Sequence, residues 1–283
     1  MRYIKSFAND AAIQAAVDNK TLGKPYVALN DQTGKIDFNT KEETDYSKMY
    51  FTFVPLATDA YMFRCWESAK KYSYSINDGE WVEISGTKFI NLSVGDNVRF
   101  KSTDAIETLF DGISQNFNVY GNILSLKYGD NFMGKKDVYK LSFNGSKVVD
   151  ASNLVLPATS LTNNAYDSMF MNCRSLTAAP ELPATTLAKG CYNQMFYGCT
   201  SLTTAPALPA TTLDVACYAY MFYDCSSLNY VKCLCLSTGI ASTDYIEDWV
   251  NGVSPTGTFV KKAGVTWPTG ISGIPSGWTV VEE

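Results

Sequence analysis

Short apolar runs separated by polar turn residues recur through positions 48–118, in KMYFTFVPL, AYMFRCW, YSYSIND, EWVEISG, TKFINLS and NVRFKST. Each is rich in aromatic or β-branched side chains and long enough for one strand, and turn residues at Asn77 to Gly79 and at Gly95 to Asn97 punctuate them. Strands of this length and spacing predict an antiparallel β-sandwich-like domain over 48–118. Trp66 and Trp81 then read as core aromatics, with stacking on a carbohydrate as the alternative use of the same rings. Ahead of this region Ile4, Phe7, Ala11, Ile13 and Ala15 can line one side of a helix running to about Asp18, and KPYVALNDQTGKIDFNT offers two short strands around a turn from Asn30 to Gly34. That is too little apolar surface for an independent core. Residues 1–45 are therefore read as an anchoring module, with Ile4, Phe7 and Ala11 as candidate anchoring positions; packing against the chain's own second domain is the plainer alternative.

Beyond residue 151 the pattern becomes a repeat. LPATSLTNNAYDSMFMNCRSLTAAPE starts at Leu156, LPATTLAKGCYNQMFYGCTSLTTAPA at Leu182, and LPATTLDVACYAYMFYDCSSLNYVKC at Leu208, a period of 26 residues. A constant period of this size predicts a solenoid over 152–236, each coil stacking on its neighbours. Within each copy apolar residues recur four apart: Leu161, Ala165, Met169; Leu187, Cys191, Met195; Leu213, Cys217, Met221. That spacing predicts one short helix or tight turn per coil, followed by a brief strand that Pro206 and Pro209 keep short. The fold class expected is mainly β with short helices. Stacking in register would align Phe170, Phe196 and Phe222, then Cys173, Cys199 and Cys225, then Leu176, Leu202 and Leu228, as structural ladders. Between these fixed positions the residues are mostly polar, and Asn163, Asn164, Asp167, Lys189, Asn193, Gln194, Asp214 and Tyr220 form the candidate binding surface. Solvent exposure alone explains the same polarity.

Composition narrows the chemistry. Of 283 residues, 46% are hydrophobic and 18% charged, the balance of a folded protein, and 18 Tyr, 19 Gly and 10 Pro favour strands and turns over helices. A net charge of −5 without a basic run leaves nucleic acid no evident counterpart, and no run approaching 18 apolar residues predicts membrane insertion. Asn9, Asp10, Gln14 and Asp18 interrupt what a signal peptide would need as an apolar core, so synthesis in the cytosol is expected. Seven of the eight cysteines fall at 173–235. Their recurrence at the repeat period favours small buried thiols, with a disulfide ladder or a metal site as alternatives. The chain has no His, which removes the usual base near neutral pH and the commonest metal ligand, and it lacks nucleophile-elbow, phosphate-loop and dinucleotide motifs. No catalytic, cofactor-binding or metal-binding residue is assigned, and a non-enzyme is expected. The acidic stretches YGDNF at 128–132 and DYIED at 244–248 are the places where a glycosidase's paired carboxylates could lie.

Met195, Phe196, Gly198, Cys199, Leu202, Leu208 and Pro209, within MFYGCTSLTTAPALPATTL, resemble the BspA-type leucine-rich repeats. The next copy keeps Met221, Phe222, Cys225, Leu228 and Leu234 but carries Asp224 for the Gly and Cys235 for the Pro, and the first copy carries Asn172 for the Gly. FNVYGNILSLKYGDNFMGKK and the ending TGTFVKKAGVTWPTGISGIPSGWTV are similar to the flanks such repeats carry in Bacteroidota and their phages, implying caps over 119–151 and 237–283. The opening MRYIKSFANDAAIQAAV is similar to the start of virion-associated proteins. The resemblance implies a phage virion protein, a head or tail fibre or decoration subunit made in the host cytoplasm. Its N-terminal module would join other virion proteins, and its repeats would meet a host surface glycan or protein. A homo-oligomer, a trimer or another small closed ring, goes with that expectation. A bacterial cell-surface or secreted adhesin with the same repeats is the alternative.

Overall fold

The computed structural model describes residues 4–7, 27–30, 36–37, 44–66, 69–110, 113–236 and 243–283. The chain divides into two compact units, Met1–Asp45 and Tyr46–Glu283. In the first, β1 (Ile4–Phe7) pairs in parallel with β2 (Val27–Asn30), which pairs antiparallel with β3 (Ile36–Asp37). Ile4 and Phe7 thus lie on a strand where a helix was expected, and Ala11 lies outside the described residues.

The second unit begins with β4 (Phe51–Pro55), β5 (Asp59–Arg64), β6 (Lys71–Ile76), β7 (Val82–Ser85), β8 (Thr87–Leu92) and β9 (Val98–Lys101). They do not form a β-sandwich. Together with β10 (Phe117–Asn122) and β11 (Val148–Val155), most of them join one open, mixed sheet in the order β11-β10-β4-β9-β6-β7, and β5 pairs with β8 alone. Alternation shows which face of a strand is apolar, but it carries no information about the strand's partner, and here the partners lie edge to edge in one sheet. Phe53 packs against Tyr61 and Phe63 of β5 at centroid distances of 5.2 and 5.0 Å, and against Phe117 of β10 at 4.6 Å. Gly121 lets β10 pass close to the backbone just before β4: its φ is 85°, and a Cβ there would sit 2.1 Å from the Tyr50 carbonyl oxygen.

The leucine-rich-repeat solenoid is likewise not formed, and the virion-fibre architecture implied with it falls too. A leucine-rich repeat contributes a strand from every coil. Here no helix or strand occupies 156–229, and only single bridges such as Asp150↔Ala178, Ser160↔Thr186 and Thr204↔Tyr230 link the copies in the places where strands were expected. Pro180, Pro183, Pro206 and Pro209 sit beside those bridges and supply no amide hydrogen with which to lengthen them. Among the described residues the protein is mostly β, with open mixed sheets and one short α-helix, Ser125–Tyr128.

The repeats instead form successive turns. The amides of Asn164, Tyr166, Ser168, Phe170 and Asn172 donate to the carbonyls of Lys189, Cys191, Asn193, Met195 and Tyr197 in the next copy, at 2.7–2.9 Å. The amides between them, from Ala165 to Cys173, close local turns on carbonyls three residues back. One amide goes along the stack and the next goes into its own turn, so the backbone is satisfied without a regular element. Every fourth residue pays for this with a left-handed conformation: Asn164, Ser168 and Asn172 in the first copy, Gly190, Gln194 and Gly198 in the second, Ala216, Tyr220 and Asp224 in the third. A left-handed residue every four positions is incompatible with an α-helix. Turns of four residues nevertheless imitate helical spacing, which accounts for the helix predicted from Leu187, Cys191 and Met195.

Side chains line up along the same axis. Phe143, Phe170, Phe196 and Phe222 stack at 5.1, 5.6 and 5.7 Å, carrying the aromatic core of the sheet into the repeats. Tyr166, Tyr192 and Tyr218 stack beside them at 5.8 and 6.0 Å. The far end is covered by Trp249, which stacks on Trp267 at 5.6 Å, and by a parallel sheet of β12 (Tyr230–Cys233), β13 (Thr258–Lys261) and β14 (Thr279–Glu282). The hydroxyls of Tyr166 and Tyr192 are buried without a hydrogen-bond partner. Tyr192→Phe should therefore raise the unfolding free energy by about 1 kcal/mol, because an unsatisfied polar group is removed with no loss of packing. Urea denaturation checks this, and a loss of stability would show that the hydroxyl is satisfied.

Candidate binding surfaces

Inside the stack the conserved chemistry of the repeat is structural. The thiols of Cys173, Cys199 and Cys225 each donate to the Phe carbonyl of the preceding turn layer, those of Phe143, Phe170 and Phe196, at 3.0, 3.1 and 3.0 Å. Leu176, Leu202 and Leu228 are fully buried beside them. All eight cysteines are buried, and no disulfide joins them among the described residues. Burial pushes Cys191 to about 11 and Cys225 to about 12, and raises Cys199 well above the ordinary thiol value, so these groups are neutral and unreactive at physiological pH. Among the described residues no group of His, Cys, Asp or Glu is arranged to hold a metal ion.

The acidic stretches hold their carboxylates in ordinary roles. Asp130 accepts the Tyr50 hydroxyl at 2.5 Å and pairs with Lys101 at 2.9 Å, and these contacts hold its carboxyl below the usual range. Burial, then the Asp130 carboxylate, push the Tyr50 phenol up to about 12. Asp244 and Glu247 are exposed.

The candidate binding residues fall into two places. Asn163 and Asn164 are exposed on the first copy beside a cavity of about 540 Å³. Asp167, Asn193, Gln194 and Tyr220 lie on the outer turns of three successive layers, joined by Ser168 N–H to the Asn193 carbonyl, Gln194 N–H to the Ala219 carbonyl, and Asn193 Nδ2 to Asp167 Oδ1 at 3.3 Å. Lys189 is exposed one turn earlier, and the half-buried Asp214 turns its carboxylate onto the Val215 amide at 2.6 Å. The outer turns also carry two residues that the sequence reading passed over, Tyr197 and Tyr223, stacked parallel at 4.9 Å with Tyr220 at 6.1 Å from Tyr223. Their signal was a tyrosine at the same position of two copies. The Glu247 carboxylate, hydrogen-bonded to Tyr220, pushes that phenol up to about 12.

The two tryptophans expected in the core are not there. Trp66 is 62% exposed, with the Arg64 guanidinium 4.5 Å above its ring. Trp81 is half-buried on the polar face of the large sheet, against Tyr50 at 5.0 Å, Lys101 at 4.4 Å and Arg99 at 5.3 Å. β9 buries Val98 and Phe100 on one face and turns Arg99 and Lys101 to the other, where Trp81 lies, so the core is on the far side of the sheet. A cleft of about 280 Å³ opens beside Lys101, walled by two internally neutralised pairs, Lys71–Glu83 and Lys101–Asp130, both at 2.9 Å.

No protein-family model, no curated protein and no solved structure matches the chain. The class that the fold defines is a mostly β protein with open mixed sheets and a stack of repeated turns, and the BspA-type resemblance is set aside with the solenoid it implied.

Proposed function

We propose that the chain is a non-enzymatic binding protein that recognises a surface saccharide through the outer turns of its repeat stack. The observation that carries this reading is the residue choice along one left-handed row. The flanking rows hold Asn164, Gly190 and Ala216, and Asn172, Gly198 and Asp224, mostly types that accept positive φ easily. The middle row holds Ser168, Gln194 and Tyr220, at φ 58, 54 and 54°. Tyr220 is a bulky residue in a conformation that costs about 1–2 kcal/mol, and it remains half-exposed beside Tyr197 and Tyr223. Strain at a solvent-facing aromatic is the pattern of a site kept for contact. Tyrosine rings set among side-chain amides and carboxylates suit the apolar faces and hydroxyls of a sugar. Residues 1–45, a separate compact unit, would then serve for attachment to a larger assembly.

Tyr220→Asn separates the two roles of this position. Asn tolerates the left-handed backbone, so thermal stability should hold or rise slightly, while binding to a saccharide array should fall by about tenfold or more, as expected for a truncated aromatic contact. A wild-type protein that retains no saccharide on the array, or a variant that binds unchanged, overturns the reading.

A further inference from the structure

The cavity of about 540 Å³ is lined by Lys127, Lys136 and Lys140 from the segment before the repeats and by Ser160, Thr162, Asn163 and Asn164 from the first repeat. The fold fixes the positions from which two of these cations, Lys127 and Lys140, project. The segment 138–143 alternates, burying Tyr139, Leu141 and Phe143 and leaving Lys140 outside. The Tyr139 hydroxyl donates to the Ile106 carbonyl, which ties this segment to the sheet domain. Lys127 and Lys135 flank the Tyr128 ring, with Nζ 5.1 and 5.3 Å from its centroid. The carboxylate among the lining residues, Asp137, accepts the Tyr128 hydroxyl at 2.5 Å, so part of its hydrogen-bonding capacity is already used. None of the three lining lysines has an ion-pair partner among the described residues.

The first repeat's share of the lining is neutral and rich in donors and acceptors. Asn164 stands in the left-handed conformation with its carboxamide over Gly190, where a Cβ would come within 2.4 Å of its Oδ1. The serine and threonine hydroxyls and the Asn163 amide complete it. In a chain of net charge −5, three lysines against the single Asp137 carboxylate leave this lining net positive and focus a local positive potential. A volume of this size accommodates one or two sugar rings.

We infer that this cavity binds an anionic saccharide, its carboxylate or sulfate set against Lys127, Lys136 and Lys140 and its hydroxyls against Ser160, Thr162, Asn163 and Asn164. The ligand class is taken from the reading of the outer turns, but the site is a different one. Calorimetry of the full chain with an oligogalacturonate, a sulfated heparin-derived oligosaccharide and a neutral malto-oligosaccharide tests it. The expected result is a preference of about tenfold or more for an anionic probe, weakening as salt rises, abolished in Lys136→Glu/Lys140→Glu and retained in Tyr220→Asn. Whichever anionic probe binds more tightly shows whether carboxylate or sulfate is the natural group. Equal binding of neutral and anionic probes, or loss of anionic binding in Tyr220→Asn but not in the lysine variant, overturns the cavity and leaves the outer-turn reading standing. Lysine-dependent anionic binding with no effect of Tyr220→Asn on any saccharide supports the cavity and removes the outer-turn site. Inorganic sulfate binding as tightly as the oligosaccharides would show that the sugar contributes nothing and would also overturn it.

Discussion

Raising the pH from 8 to 10 is expected to remove most of the stability of residues 46–283. The thiols of Cys191, Cys199, Cys217, Cys225 and Cys233 are buried, and desolvation lifts each above its ordinary value of about 9, to about 11 for Cys191 and about 12 for Cys225 and Cys233. In the unfolded chain they would ionise near 9 while the folded chain keeps its protons, so the unfolded state binds fewer protons and stability falls as pH rises through this window. Below about pH 8 both states are protonated and the groups contribute no pH dependence. One unit above the unfolded value each thiol costs on the order of 1 kcal/mol, and the set several kcal/mol together, comparable to the whole stability of many domains. The buried phenols of Tyr166, Tyr192 and Tyr218 are raised by burial as well and add to the loss above about pH 10. Urea denaturation under reducing conditions, at steps from pH 7 to 10.5, measures the slope. A level profile up to pH 10 would mean that the thiols are not sequestered in the folded protein.

Phe196→Ala should lower the unfolding free energy by about 3–5 kcal/mol, from lost transfer energy and the cavity left behind. Phe196 is fully buried between Phe170 at 5.6 Å and Phe222 at 5.7 Å, with interplanar angles of 5 and 2°. Its carbonyl also accepts the Cys225 thiol at 3.0 Å, so a shift of the backbone toward the cavity would disturb the thiol column too. Little collapse is available, because each layer is held to the next by alternate amides. A measured loss below about 1 kcal/mol would show that the column does not carry the packing.

Which residues neighbour one another inside the stack follows from the period alone. Phe170, Phe196 and Phe222 are spaced 26 residues apart, and in-register layers bring their rings together whatever the backbone does between them. The strands at KMYFTFVPL and NVRFKST are legible for a similarly local reason, since aromatic and β-branched runs report a strand's own preference. The outer row was only partly legible. Asn193, Gln194 and Tyr220 could be picked out as variable polar or amphipathic positions, but nothing in their identity marks a left-handed backbone.

Tertiary structure decided the rest, wherever the deciding contact is distant in sequence. Four-residue turns and 3.6-residue helical turns place Leu187, Cys191 and Met195 on one side equally well; the amides that leave each turn for the next layer settle which of them forms. β4 has β9 and β10 as its neighbours in one sheet, with partners 45 to 68 residues away, a choice that no local pattern can register. Trp81 lies against Arg99 and Lys101 for the same reason, since a tryptophan buries equally well in an aromatic core or over the stems and charges of cations on a sheet face. The lysine cavity is the clearest case: Lys127, Lys136 and Lys140 make no basic run in the sequence, and Ser160 to Asn164 belong to the first repeat. Only the stacking of that repeat against the segment before it brings these separate residues into the lining of one site.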